Sequence, residues 1–206
     1  MARVRVHQHV NPLSPYYRQE PAAVDPTVFS DPTRSLHLDI GCARGRFILR
    51  MAQAEPNWNF LGVDIREPLV IEANEIATAE GLTNLHYKFC NAMLWLDRLL
   101  SNIPAGQLQM VTIQFPDPWF KKKHTKRRMV NIGLVAAVVS HLAVGGRIFV
   151  QTDIEFLAVD MFALFRTDNA LEEIKIAENP FPVKTERERA VEARNMPVYR
   201  TMFQKK

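Results

Sequence analysis

Between residues 35 and 166, strand-length apolar runs alternate five times with helical stretches, an order that few folds accommodate. The runs 35–40, 59–64, 84–89, 109–114 and 146–152 each precede a helical pattern. Those patterns lie near 46–54, 67–80, 92–100, 127–142 and 155–166. Parallel neighbours in a sheet need a crossover of about a dozen residues or more, usually a helix. The alternation therefore predicts an α/β fold, a doubly wound, mostly parallel sheet with helices on both faces. Gly81 and the pair Gly145-Gly146 stand where helices should stop. The tail from 171 to 206 ends in a strand-like segment over 197–203. With 206 residues, 47% of them hydrophobic, the chain can bury one such core and is short for two. The expected division is an irregular, proline-punctuated arm over 1–34, carrying Arg3, Arg5, His7, His9, Tyr16, Tyr17 and Arg18, and a single domain over 35–206.

After the fourth run the chain reads Gln114-Phe115-Pro116-Asp117-Pro118-Trp119, and then six of the eight residues 121–128 are Lys or Arg. Proline fixes its own φ and biases the residue before it toward extended geometry, so 115–118 should be a stiff, non-helical strand exit. A carboxylate and an aromatic held beside a cationic run suggest chemistry on a polyanion; the alternative is a solvated basic loop. The net charge is only +4, but it is concentrated in 1–20 and 121–128, as expected where a phosphate backbone is met. Cys42 and Cys90 have no metal-ligand spacing, so neither a zinc site nor a disulfide scaffold is expected. No apolar run is long enough to span a bilayer, and the N-terminus lacks a signal peptide's apolar centre. A reducing cytoplasm is the expected setting.

In a doubly wound sheet the ligand lies beyond the carboxyl ends of the strands, and the first strand-to-helix turn is the usual cradle. Here that turn is Asp39-Ile40-Gly41-Cys42-Ala43-Arg44-Gly45. A dinucleotide fingerprint begun at Gly41 would need glycines where Ala43 and Arg46 stand, and no P-loop Lys-Ser/Thr follows. Asp-x-Gly-x-small-x-Gly remains, a backbone that can approach a ligand closely beside an acid. The second run ends at Asp64, 23 positions after Gly41, about where an acid grips ribose hydroxyls. The third leads to Asn91, placed for an adenine edge. Each has a plainer reading: Asp39 or Asp64 as a helix cap, Asn91 as a turn residue. S-adenosyl-L-methionine fits the three together.

These residues resemble the bacterial tRNA (guanine-N7)-methyltransferases, a family of class I, S-adenosyl-L-methionine-dependent enzymes, from about Arg3 to Phe203. The similarity rests on Leu38-Asp39-Ile40-Gly41, Leu61-Gly62-Val63-Asp64-Ile65, Phe115-Pro116-Asp117-Pro118-Trp119, Lys126-Arg127-Arg128, Thr152-Asp153 and Thr185-x-x-Glu188. It implies a Rossmann-like, seven-stranded sheet and transfer of a methyl group to N7 of a variable-loop guanosine in tRNA. It places cofactor contacts on Asp39, Gly41, Asp64, Asn91 and Asp117, with Asp117 the catalytic acid. Substrate contacts fall on Lys121, Asp153, Thr185, Glu186, Arg187 and Glu188, and RNA contacts on Lys123, His124, Thr125, Lys126, Arg127 and Arg128. No metal and no membrane are expected, and the oligomeric state is open between monomer and homodimer. Ala43 replaces the glycine more usual in the class and would need a negative φ. Asn91 replaces a frequent aspartate, and Ala190 a frequent basic residue that Arg189 could substitute. Asp153 could also cap the helix after it, and at least one of Trp119 and Phe120 is expected to pack beneath the loop. The competing readings are a class I enzyme acting on another RNA, and an RNA-binding module with a relic pocket.

Overall fold

The computed structural model describes residues 10–206. Five strands alternate with helices as the apolar pattern requires: β1 (Leu36–Ile40), α1 (Arg46–Ala54), β2 (Asn59–Asp64), α2 (Glu67–Ala79), β3 (Leu85–Phe89), α3 (Ala92–Leu100), β4 (Leu108–Gln114), α4 (Ile132–His141), β5 (Leu142–Thr152) and α5 (Glu155–Arg166). The chain closes with β6 (Leu171–Ile174), α6 (Glu186–Glu192) and β7 (Tyr199–Lys205). The seven strands form one sheet in the order β3-β2-β1-β4-β5-β7-β6. β1 to β5 run parallel, and β7 lies antiparallel between β5 and β6. β1 and β2 are buried along their whole lengths, which is why both read as nearly unbroken apolar runs. The order reverses between β1 and β4, so the crevice opens where Asp39 and the end of β4 meet.

Two differences from the expected elements have local causes. The helix expected from residue 127 begins at Ile132. Residues Lys122–Arg127 instead form 3-10 turns, and Asn131 caps α4 by accepting from Leu134 N at 2.9 Å. β6, not marked in the sequence, is a four-residue edge strand with Glu172 and Glu173 at its centre, so no apolar alternation announces it. Residues 12–29 lie along α2 and α3. Val24 is fully buried and donates its N–H to Leu99 O at 2.8 Å, and Phe29 joins the same core. Arg3, Arg5, His7 and His9 lie outside the described residues.

Candidate active site

At the end of β1, Asp39 is buried, and Thr112 Oγ1 donates to its Oδ1 at 2.6 Å. Thr112's one proton is thereby committed, so His37 Nε2, 3.1 Å from the same oxygen, must be the donor there. Burial among Phe47, Phe60 and Phe181 drives His37 down to about 3 and keeps it neutral. Burial pushes Asp39 the other way, up to about 6; the bond from Thr112 opposes the rise, and the Asp64 charge adds to it.

The turn after β1 is built on left-handed backbone. Gly41 has φ +82° and is exposed, and a Cβ there would meet only the flexible end of Met129, at 3.6 Å. Gly45, at φ +67°, has no room for a side chain because the Tyr87 ring lies 2.2 Å from where its Cβ would be; Tyr87 Oη donates to Gly45 O instead. Ala43 does not have the negative φ expected of a non-glycine: it is at +53°. Its N–H donates to Asp64 Oδ2 at 2.8 Å, and that charge-assisted bond offsets a left-handed alanine costing about 1 kcal/mol.

Asp64 closes β2 with both oxygens occupied. Arg66 N and Nε reach Oδ1 at 2.8 and 2.9 Å; Arg66 Nη2 at 3.0 Å joins Ala43 N on Oδ2. Burial works against the Arg66 charge, but the bond and charge of Asp64, and then the charge of Asp117, outweigh it. Asn91 is buried, and its Nδ2 donates to Pro12 O and Tyr17 O at 2.8 and 3.1 Å, tying residues 12–17 to the start of α3.

The strand exit at Asp117 is sharper than proline rules suggest. Phe115, although it precedes Pro116, is not extended: φ is +50°, and Trp119 is at +44°. Phe115 N donates to Gln151 O at 2.8 Å, which carries the β4–β5 ladder one residue past Gln114 before the chain turns. Left-handed backbone at a large aromatic is strained, and such strain persists only where the surroundings enforce it.

Asp153, buried after β5, does not cap α5, whose cap position is Ile154; it ion-pairs with Arg187. Thr185 caps α6 by accepting from Glu188 N at 3.0 Å. Glu188 itself points inward and is fully buried, accepting from Asn179 Nδ2 (2.7 Å), Gln151 Nε2 (3.1 Å) and Arg200 Nη2 (3.3 Å). Gln151 Nε2 also donates to Gln114 Oε1 at 2.8 Å, while its own Oε1 is buried without a partner among the described residues. A polar chain thus runs from α6 through β5 to the strand end preceding Asp117. The sequence reading missed Gln114, Gln151, Asn179 and Arg200. The first two were detectable as amides ending otherwise apolar strands.

Beyond Asp117 the loop divides. Lys121, Lys123, Thr125 and Lys126 are exposed. Trp119 is half-buried, its ring engaged by the loop itself: Arg127 lies over it at 5.1 Å and His124 meets its edge at 5.6 Å. Arg128 bridges instead of facing solvent, donating to Pro118 O at 3.1 Å, pairing with Asp160 and lying over Phe156 at 5.0 Å. A cavity of about 870 Å³ reaches from Asp117 between this loop, the start of α4 and α5, lined mainly by apolar side chains such as Met129, Leu157 and Met161.

A family model described as "Putative methyltransferase" matches residues 33–201. Among curated relatives, the tRNA (guanine-N(7)-)-methyltransferase of Trichormus variabilis is 54% identical over 98% of this chain and 96% of its own length. That of Synechococcus elongatus is 52% identical over 98% and 97%, and that of Thermosynechococcus vestitus 45% over 98% and 95%. Among solved structures, antibiotic-resistance methyltransferase Kmr matches with TM-score 0.57 at 17% identity, over 83% of this chain and 86% of that one. The aminoglycoside resistance methyltransferase NpmB1 matches with TM-score 0.56 at 16% identity, over 88% and 90%. At such identities these two show the shared fold alone.

Proposed function

We infer the reaction from the family: the chain belongs to the tRNA (guanine-N(7)-)-methyltransferases. It transfers the methyl group of S-adenosyl-L-methionine to N7 of a guanosine in tRNA. The observation that carries this reading is that Asp39, Asp64 and Asp117 lie at or just beyond the carboxyl ends of the adjacent strands β1, β2 and β4, beside the open backbone at Gly41, with the basic loop starting four residues beyond Asp117.

The residues fit this cofactor. It is cationic and carries a ribose diol, and the crevice offers three carboxylates and a glycine with nothing rigid over it. Asp39 and Gly41 would hold its methionine end, Asp64 its ribose and Asn91 the adenine side. Four donors already fill Asp64, so the Arg66 guanidinium must turn away for the diol to bind. When bound, the cofactor supplies an electrophilic methyl on a positively charged sulfur.

Guanine N7 carries a free lone pair and no proton. Attack by that lone pair on the methyl the cofactor would supply needs no prior deprotonation, and the guanine would leave the reaction positively charged. The protein's task is alignment, which can supply several kcal/mol. Asp117 serves as an aligner: its carboxylate accepts from guanine N1–H and the exocyclic amine and holds negative charge beside a ring that becomes cationic. Asp153, oriented by Arg187, works with it, with Thr185 and Glu186 at the rim. Glu188 supports them from beneath, through Gln151. Lys121, Lys123, His124, Thr125, Lys126 and Arg127 meet the phosphates, and contacts of that kind position the RNA without reading bases. The target is the variable-loop guanosine, flipped from its stack. Incubation with unmodified tRNA and the cofactor, followed by nucleoside analysis, tests the reading; a product without 7-methylguanosine overturns it.

A further inference from the structure

Phe120, three residues beyond Asp117, is 68% exposed, and Phe156 at the start of α5 is 39% exposed beside it. Their rings meet edge to face, 5.7 Å apart. Their neighbour Trp119 is less exposed, with Arg127 over its ring and His124 at its edge. The pair is also firmly supported: Arg128 lies over Phe156 at 5.0 Å and is itself held by Asp160 and Pro118 O. Exposing one large aromatic needs no explanation, but two in contact, braced by a fixed arginine and flanked by exposed Lys121, Lys122 and Lys123, form a built surface.

We propose that Phe120 and Phe156 form a stacking ledge for the nucleobase next to the target guanosine. The inference rests on the tRNA reading above and adds a subsite to it. Drawing the target out of its stack leaves its neighbour with an uncovered face, which is unfavourable in water. An aromatic face recovers that stacking whatever the base, because every base presents a π-face. Three residues span at most about 11 Å, so the ledge lies within reach of the nucleotide flanking one held at Asp117. The surrounding lysines favour an RNA strand as the occupant through charge complementarity, where an apolar protein surface would not need them.

Stacking and phosphate contact separate in a salt titration. The dissociation constant for unmodified tRNA is measured across a range of salt concentrations for the full chain and for Phe120→Ala, Phe156→Ala, Phe120→Tyr and Phe120→Leu. S-adenosyl-L-methionine affinity is measured on each as a check of the site. For either alanine variant we expect affinity about tenfold weaker, with the salt slope and cofactor affinity unchanged. Phe120→Tyr should match the native protein and Phe120→Leu should fall with the alanine variant. Native tRNA affinity in Phe120→Ala overturns the ledge; so does a shallower salt slope, or rescue by leucine. The functional reading fails differently, by absence of 7-methylguanosine from the native protein, while these binding comparisons still read the ledge.

Discussion

Arg66 saturates Asp64, the carboxylate we assign to the cofactor's ribose; on that assignment it works for the free fold and against the ligand. In Arg66→Ala, Asp64 keeps backbone donors from Ala43 and residue 66 but loses its ion-pair partner. Removing one partner of a buried pair costs about 3 kcal/mol. The variant should therefore melt earlier without cofactor and bind it about tenfold more tightly, since hydrogen bonds to a charged group each contribute about 1.5–3 kcal/mol and fewer must be broken. Calorimetric titration decides; cofactor binding weaker than native would show that Arg66 holds the ligand. Asp39 makes a second residue-scale prediction. Its acid is weakened to about 6, and a cationic ligand favours the ionised form, so binding releases a proton. Cofactor affinity should fall as pH drops from 7 to 5, and titrations in buffers of different ionisation enthalpy should show the released proton. His37 sets the opposing effect on stability. Its folded value, about 3, lies below its unfolded one, so the unfolded chain takes up a proton first and the contribution is lost as pH falls below about 6.5. Asp39 acts oppositely between about 4 and 6, because there the folded state holds more protons. Denaturant midpoints at pH 5 and 7 should thus differ less in the native protein than in Asp39→Asn, which leaves the His37 effect unopposed.

At the scale of elements, residues 115–128 combine three kinds of part. Phe115 and Trp119 turn the chain on strained backbone, Arg128 staples it to α5, and the lysines point outward. Six basic residues in the sequence look alike, and their roles separate only through their partners. Lys123→Ala and Lys126→Ala should each lower the salt slope of tRNA binding by about 1 without changing thermal stability. Arg128→Ala should lower kcat as well, because Asp117 and Pro118 lose the brace at Pro118 O; if it affects binding alone, Arg128 is one more phosphate contact. The polar chain through β5 gives a parallel test. Gln151→Leu keeps size but removes the donor to both Gln114 and Glu188, leaving the buried Glu188 with fewer partners. Its expected signature is a fall in kcat with little change in KM for tRNA, measured with saturating cofactor.

Over the whole molecule, the alternation of runs was enough to place β1 to β5, their helices and the crevice, because strand ends on one side of a parallel sheet meet whatever the side-chain detail. Asp39, Asp64 and Asp117 were legible for that reason: each ends or follows an apolar run. The site beyond them was less legible. The resemblance places Glu188 among the substrate contacts, yet it is fully buried, because α6 packs onto Arg200 of β7 and Gln151 of β5, 12 and 37 residues away. Asn91 also ties residues 12–17 to the start of α3 through its amide N–H groups, a contact no local pattern announces. Val24 and Phe29, within the presumed arm, are buried in the core shared with α3. Phe29→Ala should accordingly cost about 3–5 kcal/mol of stability by urea denaturation, where an appended arm would lose almost nothing.

Sequence alone determined the fold class, the strand ends that carry carboxylates and the position of the cationic loop, since periodicity and chain order are local properties. Only the tertiary structure decided which charges are occupied: Arg66 on Asp64, Arg187 on Asp153, Arg128 on Asp160 and Arg200 on Glu188. A charge's partner depends on what packing brings within a few ångströms, and the pairs here span from 2 to 34 residues of chain. No spacing rule covers that range.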